Sequence, residues 1–227
     1  MKEESGEPQL RWIKKYGNII KVHGIFNEPI VFVADPKIIQ DISVTRAYDF
    51  IKPPGLLADS IAVAGRGLIY AEGDDHKRQR KMINPAFTHS KIKEMVPRSI
   101  PIVMTLKEKI SKEELKYQIK TFLVAGHEST SVSICWALYY LSQNLHEQDL
   151  LREELVKAFP DKSKFNPTFD ELNSLEYLNC VIKETLRLAS PATSARRTNT
   201  KDEVFGDYYI PKDTIIMMAI SGQDLGL

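Results

Sequence analysis

Apolar residues occupy nearly every side of a helical projection of Phe122 to Leu141, FLVAGHESTSVSICWALYYL. A helix without a polar face belongs in a core, so this segment predicts a buried helix that continues to about Asn144. Elsewhere the pattern is amphipathic. DPKIIQDIS predicts a helix capped by Asp35 with Pro36 in its first turn, and others are predicted from about Asp74 to Asn84-Pro85 and over His89 to Met95. His146 to Phe159 predicts a further helix. Thr168 and Glu171 have capping-box spacing and lead into Leu175 to Leu188, where Leu175, Leu178, Ile182 and Leu186 form an apolar stripe at 3–4 spacing.

Strand signals are fewer. Lys21 to Ala34 holds two β-prone runs around Asn27-Glu28-Pro29, the pattern of a hairpin. VFGDYYIPKDTIIMMAI predicts a second hairpin, turning at Pro211-Lys212-Asp213. Residues 49–70 are rich in Pro and Gly and read as loop, and Pro97 and Pro101 interrupt the chain before the long apolar helix. The predicted fold class is mainly α with a small β component.

Composition narrows the function classes. The 31 basic and 30 acidic residues nearly cancel, so total charge points to neither nucleic acid nor a membrane surface. MKEESGEPQL lacks the apolar core of a signal peptide, and no stretch reaches the ~18 consecutive apolar residues of a membrane span. As written, the sequence reads as soluble. Cys135 and Cys180 both fall in apolar helical patterns, which predicts buried thiols in a reducing compartment rather than a disulfide. No residue set has metal-ligand spacing.

Four groups carry candidate chemistry. Glu128 stands inside the apolar helix with hydroxyls at Ser129 and Thr130, and Gly126 leaves space for a ligand or another backbone. A carboxylate in such a place is costly unless partnered. It serves as a proton-handling group facing a cofactor, or it meets a water-filled crevice or an Arg from a neighbouring helix. His76 and Arg80 share a helix face at i,i+4 and can hold a carboxylate or phosphate; a solvated basic face is the alternative. A nucleic-acid surface is disfavoured, because the run lacks interleaved aromatics. Glu184 and Arg187 can pair at i,i+3. Arg196 and Arg197, read as lying on a loop, are surface charges or an anion clamp.

AGHEST on an apolar helix, then KETLRL, PATSARRTNTKD and YYIPKDT, in this order and spacing, closely resemble the cytochrome P-450 family of haem-thiolate monooxygenases, microsomal-type fungal members above all. GLIYAEGDDHKRQRKMINPAF is similar to that family's stretch leading into its third lettered helix. The resemblance runs from about Gly17 to Ile220. It implies a partial cytochrome P-450 fold, a single incomplete domain over residues 1–227 with an N-terminal β/helix part at 17–105 and a part running from the central helix to the salt-bridge helix and hairpin at 112–220.

The resemblance also implies roles. Glu128 and the hydroxyl beside it would steer protons for dioxygen activation at the haem. The family usually has Thr where Ser129 stands; Ser keeps the hydroxyl without the methyl that fixes it, and Thr130 is turned roughly 100° away on a helix. Ala125 and Gly126 match the small residues that open a groove for oxygen. His76 with Arg80 would bind one haem propionate and Arg197, five residues before Asp202, the other. Glu184 and Arg187 match a structural salt bridge.

Two departures accompany it. The family's axial Cys, on a glycine-containing loop near the C-terminus, is absent up to SGQDLGL, and Cys135 and Cys180 are no substitutes. Between Thr105 and Leu115 a short charged stretch stands where the family places several helices, including those that roof the substrate pocket. Haem is therefore the implied cofactor, without its axial Cys ligand in this chain. An NADPH-dependent reductase and an apolar small molecule are the implied partners, and complete relatives are expected to be anchored in the endoplasmic reticulum membrane. The expected function is insertion of one oxygen atom of O2 into an apolar organic substrate, with this chain a truncated, inactive form whose central helix has lost most of its packing partners. The alternatives are a non-enzymatic fragment that binds haem, a reductase or a full-length relative, and an unrelated helical binding module.

Overall fold

The computed structural model describes residues 7–55, 65–95 and 110–220. The chain packs as two compact units, Met1–His76 with Arg187–Leu227, and Lys77–Leu186. The stretches 17–105 and 112–220 each contribute to both units. Helices dominate, with a small mixed sheet in the first unit. Among the described residues no helix is long and apolar enough to cross a membrane.

The first unit opens with α1 (Glu7–Tyr16), then β1 (Ile19–His23) and β2 (Pro29–Val33), which pair antiparallel with Ile19 opposite Val33. This is the hairpin expected around Asn27-Glu28-Pro29. Its turn holds Phe26 and Asn27 at φ 59° and 61°, and the Gly24 amide closes it on the Glu28 carbonyl at 2.8 Å. Asp35 caps α2 (Pro36–Gln40) as expected, its carboxylate accepting from the Lys37 and Ile38 amides. A π-helical turn, Asp41–Thr45, follows and buries Ile42, and β3 (Phe50–Ile51) comes next.

The chain later returns as β4 (Ser194–Asn199), β5 (Glu203–Phe205), β6 (Tyr208–Ile210) and β7 (Ile215–Ala219). The main sheet has the order β1-β2-β7-β4-β3, with β7 parallel to β2 and antiparallel to β4. Two expectations are corrected here. Arg196 and Arg197 lie on a strand, not a loop, because β7 and β3 supply hydrogen-bonding partners on both sides of β4. The second hairpin turns at Gly206, φ 59°, between β5 and β6, whereas Pro211-Lys212-Asp213 carries the chain across to β7. Burial decides it: Ile216, Met218 and Ala219 are at most 3 % exposed in the main sheet, a position that a two-stranded hairpin cannot offer.

Val33, Ile42, Phe50, Phe205, Ile210, Ile216 and Met218 form one core of this unit, and Ile13, Phe32 and Ala219 a second. Each large apolar side chain so buried contributes roughly 1.5–3 kcal/mol. Two polar groups tie the layers together. Asn199, fully buried, donates to the Lys201 and Pro211 carbonyls at 2.7 and 2.8 Å and accepts from the Thr214 amide at 2.8 Å. Arg46 binds Asp41 through its Nε at 2.8 Å and Glu203 through Nη1 at 2.7 Å, with its guanidinium 5.3 Å from the Phe50 ring centroid.

The helix α3 (Gly73–Ile83) leads into the second unit, which holds α4 (His89–Met95), α5 (Lys112–Gln143), α6 (Leu145–Ala158), α7 (Phe169–Asn173) and α8 (Glu176–Leu188). Ser111 caps α5 by accepting from the Glu114 amide at 3.1 Å. The expected capping box is present at Thr168 and Glu171. Gln79 on α3 accepts from the Gln118 amide at 2.7 Å, and both side chains are buried. Glu154 on α6 accepts from the Tyr177 and Leu178 amides, each at 2.9 Å, satisfying two of the orphan donors at the start of α8.

The helix α5 is not buried as expected. Its buried side chains are Gln118 and Thr121, whereas Leu123, Ile134 and Leu138 are 64, 54 and 62 % exposed. An all-round apolar helix is buried only if partners surround it, and the described helices of this unit leave most of α5 open. Cys135 and Cys180 are likewise exposed rather than buried. The stripe on α8 is only partly covered: Leu175 is buried but Ile182 and Leu186 are exposed.

Candidate functional site

Ala125, Gly126, Glu128, Ser129 and Thr130 follow one another on α5, and all are exposed. The Ser129 hydroxyl donates to the Ala125 carbonyl at 2.5 Å. Ser133 donates in turn to the Ser129 carbonyl at 2.8 Å, and Ser131 to that of Glu128 at 3.1 Å. Serines inside a helix satisfy themselves this way, and the bonds tend to bend it. The Ser129 proton is thus engaged one turn back while its oxygen still accepts. A Cβ added at Gly126 would meet no heavy atom within 4 Å. Among the described residues nothing packs against that glycine, which leaves a bare helix face beside a carboxylate and an alcohol.

The basic group forms at the start of α3. Asp74 and Asp75 occupy its first turn, where the helix dipole favours acids. His76 is half-buried, and its Nδ1 lies 3.1 Å from the Tyr48 hydroxyl, with the two rings 5.8 Å apart. Arg80, one turn further, is exposed. Arg197 on β4 is half-buried, and its Nη1 donates to the Arg196 carbonyl at 2.8 Å.

The pairing of Ile51 with Thr198 brings Lys52 beside Arg197. Burial lowers the Lys52 pKa; Glu72 opposes that shift and the Arg197 charge adds to it. Glu72 accepts from the Lys52 amide at 3.0 Å and meets its ammonium at 3.2 Å. Within the first unit, therefore, the segment 48–52 is tied to His76 on one side and neighbours Arg197 on the other. Tyr48, Lys52 and Glu72 were not legible as site residues. The one hint was the strand-like YDFIK run at the start of the stretch read as loop.

Glu184 is exposed and Arg187 half-buried, one turn apart on α8. For haem, the group the resemblance implies, the first unit offers two donors of a kind that suits its carboxylates: the His76 imidazole, held by a neighbour, and the Arg197 guanidinium on β4. The iron is a separate matter. Cys135 and Cys180 sit exposed on α5 and α8, and among the described residues no three His, Cys, Asp or Glu side chains converge as a metal site.

Residues 8–110 and 99–223 match the family model for cytochrome P-450. The two matched segments meet at 99–110, beside the stretch where middle helices were expected to be missing. The chain is 46 % identical over 96 residues to cytochrome P-450 monooxygenase 128 of the fungus Postia placenta, covering 42 % of this chain and 17 % of that protein. It is 44 % identical over 106 residues to monooxygenase 205 of the same organism, covering 47 % and 18 %. To cytochrome P-450 4V2 of Mus musculus it is 31 % identical over 174 residues, covering 65 % and 33 %. The chain spans a third or less of the length of these curated relatives. With the family match extending over most of its residues, the chain belongs to the cytochrome P-450 family.

Proposed function

We propose that this chain is part of a haem-dependent monooxygenase that inserts one oxygen atom of O2 into an apolar organic substrate, and that these 227 residues alone do not turn over. The observation that carries the reading is the α5 segment 125–129, where Ala125 and Gly126 leave a bare face beside Glu128 and a hydroxyl bonded back one turn. An acid and an alcohol in sequence over an unobstructed face suit proton delivery to a small molecule above them.

Haem, when bound, supplies the redox chemistry. His76, Arg80 and Arg197 hold its carboxylates. Glu128 exchanges protons with solvent, Ser129 or Thr130 accepts a hydrogen bond beside it, and Glu184 and Arg187 pair to stiffen α8. On this reading an NADPH-dependent reductase is the partner that supplies electrons, and complete relatives are anchored at the endoplasmic reticulum membrane. The loss of turnover is supported by both cysteines being exposed on helices and by the open face of α5, which walls no chamber among the described residues.

A haemin titration of the purified chain, with a reduced carbon-monoxide difference spectrum, tests this. A saturable Soret shift that weakens in Arg197→Ala is expected, without a red-shifted thiolate band. A thiolate band would overturn the claim of inactivity, and no saturable shift would overturn the haem assignment. The exposed face of α5 favours a second reading, a non-enzymatic chain that binds haem, a reductase or a full-length relative. Retention of a reductase without turnover would select it.

A further inference from the structure

We propose that Lys52 is a further ligand-binding residue, sharing one bound carboxylate with Arg197. This deepens the proposed function and rests on Arg197 being a carboxylate-binding group. The sheet sets the two cations side by side. Phe50 pairs with Asn199 and Ile51 with Thr198, so the next cross-strand position brings Lys52 opposite Arg197. Residues directly opposite in an antiparallel pair leave the same face. Here it is the core face: Phe50 on β3, and Ile216 on β7, which pairs with Arg197, are 2 and 0 % exposed. Lys52 and Arg197 thus start from the apolar core, and each is half-buried.

Like charges directly opposite one another destabilise a sheet, and a half-buried cation is costly unless paired. Lys52 is partly compensated: its ammonium donates to the Ala71 carbonyl at 2.5 Å and meets the Glu72 carboxylate at 3.2 Å. Of its three N–H groups, one has no partner among the described residues. Arg197 has no carboxylate at all among those residues, and its one hydrogen bond goes to the Arg196 carbonyl. Two adjoining cations with a single acid leave a positive charge unanswered. The Arg197 charge adds to the burial that lowers the Lys52 pKa, and an anion between the two heads reverses that repulsion. A guanidinium fork and an ammonium point charge suit one carboxylate held from two sides.

The test titrates haemin, and separately its dimethyl ester, which lacks free carboxylates, into the full chain, with folding of each variant verified by circular dichroism. Lys52→Met should weaken haemin binding on the order of tenfold, as for one lost charge-assisted hydrogen bond, and leave binding of the ester unchanged. Adding Glu72→Gln removes the acid that Lys52→Met strands, and should not restore haemin affinity. Unchanged haemin affinity in Lys52→Met, an equal loss with the ester, or recovery in the double variant would overturn the proposal. A second measurement needs no haem. Inorganic phosphate should raise the Lys52 pKa, followed by NMR of 13C-labelled lysine side chains, in the parent and not in Arg197→Gln. No rise in the parent, or an equal rise in Arg197→Gln, would overturn the shared site. If the rise is present but haemin does not bind even the parent, the haem assignment of the proposed function fails and the shared anion site stands.

Discussion

Replacing Gly126 with Ala should stabilise α5. The added methyl would meet no heavy atom within 4 Å, and Gly126 is not among the glycines at positive φ, so neither sterics nor backbone strain opposes it. What remains is the entropic cost of glycine inside a helix, about 0.8–1.0 kcal/mol relative to Ala. The expected gain is therefore about 1 kcal/mol, or a rise of roughly 0.5 M in the urea midpoint for a typical small-domain slope. Trp136 reports on this directly, since it lies on α5 stacked 5.5 Å from Tyr140. Urea unfolding would be followed by its fluorescence in a Trp12→Phe background. A loss of 1 kcal/mol or more would refute the reasoning, because only an occupied face could penalise one methyl so heavily.

Three further outcomes follow from the first unit. Arg46→Met leaves the Glu203 carboxylate, whose side chain is 6 % exposed, without its cation. A broken buried pair costs about 3–5 kcal/mol, and partial exposure of Arg46 should reduce this to about 2–3 in urea unfolding read from Trp12. The double variant with Glu203→Met should recover most of the loss; failure to recover would show that the pair is not the cause. Asn199→Ala strands the Lys201 and Pro211 carbonyls and the Thr214 amide, at a cost of about 2–4 kcal/mol; unchanged hydrogen-exchange protection of the Thr214 amide would contradict this. Lys52 has a folded pKa below its ordinary 10.5, so the unfolded chain binds more protons between the two values and stability should rise with pH across that window. Lys52→Met should abolish the rise, and an identical alkaline profile in parent and variant would exclude the assignment.

The elements legible in the sequence were those whose causes lie within a few residues. The Asp35 cap and the Thr168–Glu171 capping box depend on side chains that reach their own backbone, the turn at Asn27 on a local positive φ, and the structure shows all three. The order AGHEST, KETLRL and YYIPKDT sufficed to place the chain in its family. Strand partners were harder. Arg196 and Arg197 carry no apolar alternation, and only β7, about twenty residues later, turns that segment into a strand.

The sequence by itself determined local helices, caps, family and candidate chemistry, since these rest on short-range backbone sterics, side-chain reach and residue order. Tertiary structure alone decided that β7 inserts between β2 and β4, that Arg46 reaches Glu203 across 157 positions, that Tyr48 meets His76, and that α5 stands open. Such outcomes depend on which surfaces find one another, and an apolar pattern records the need for a partner without supplying it.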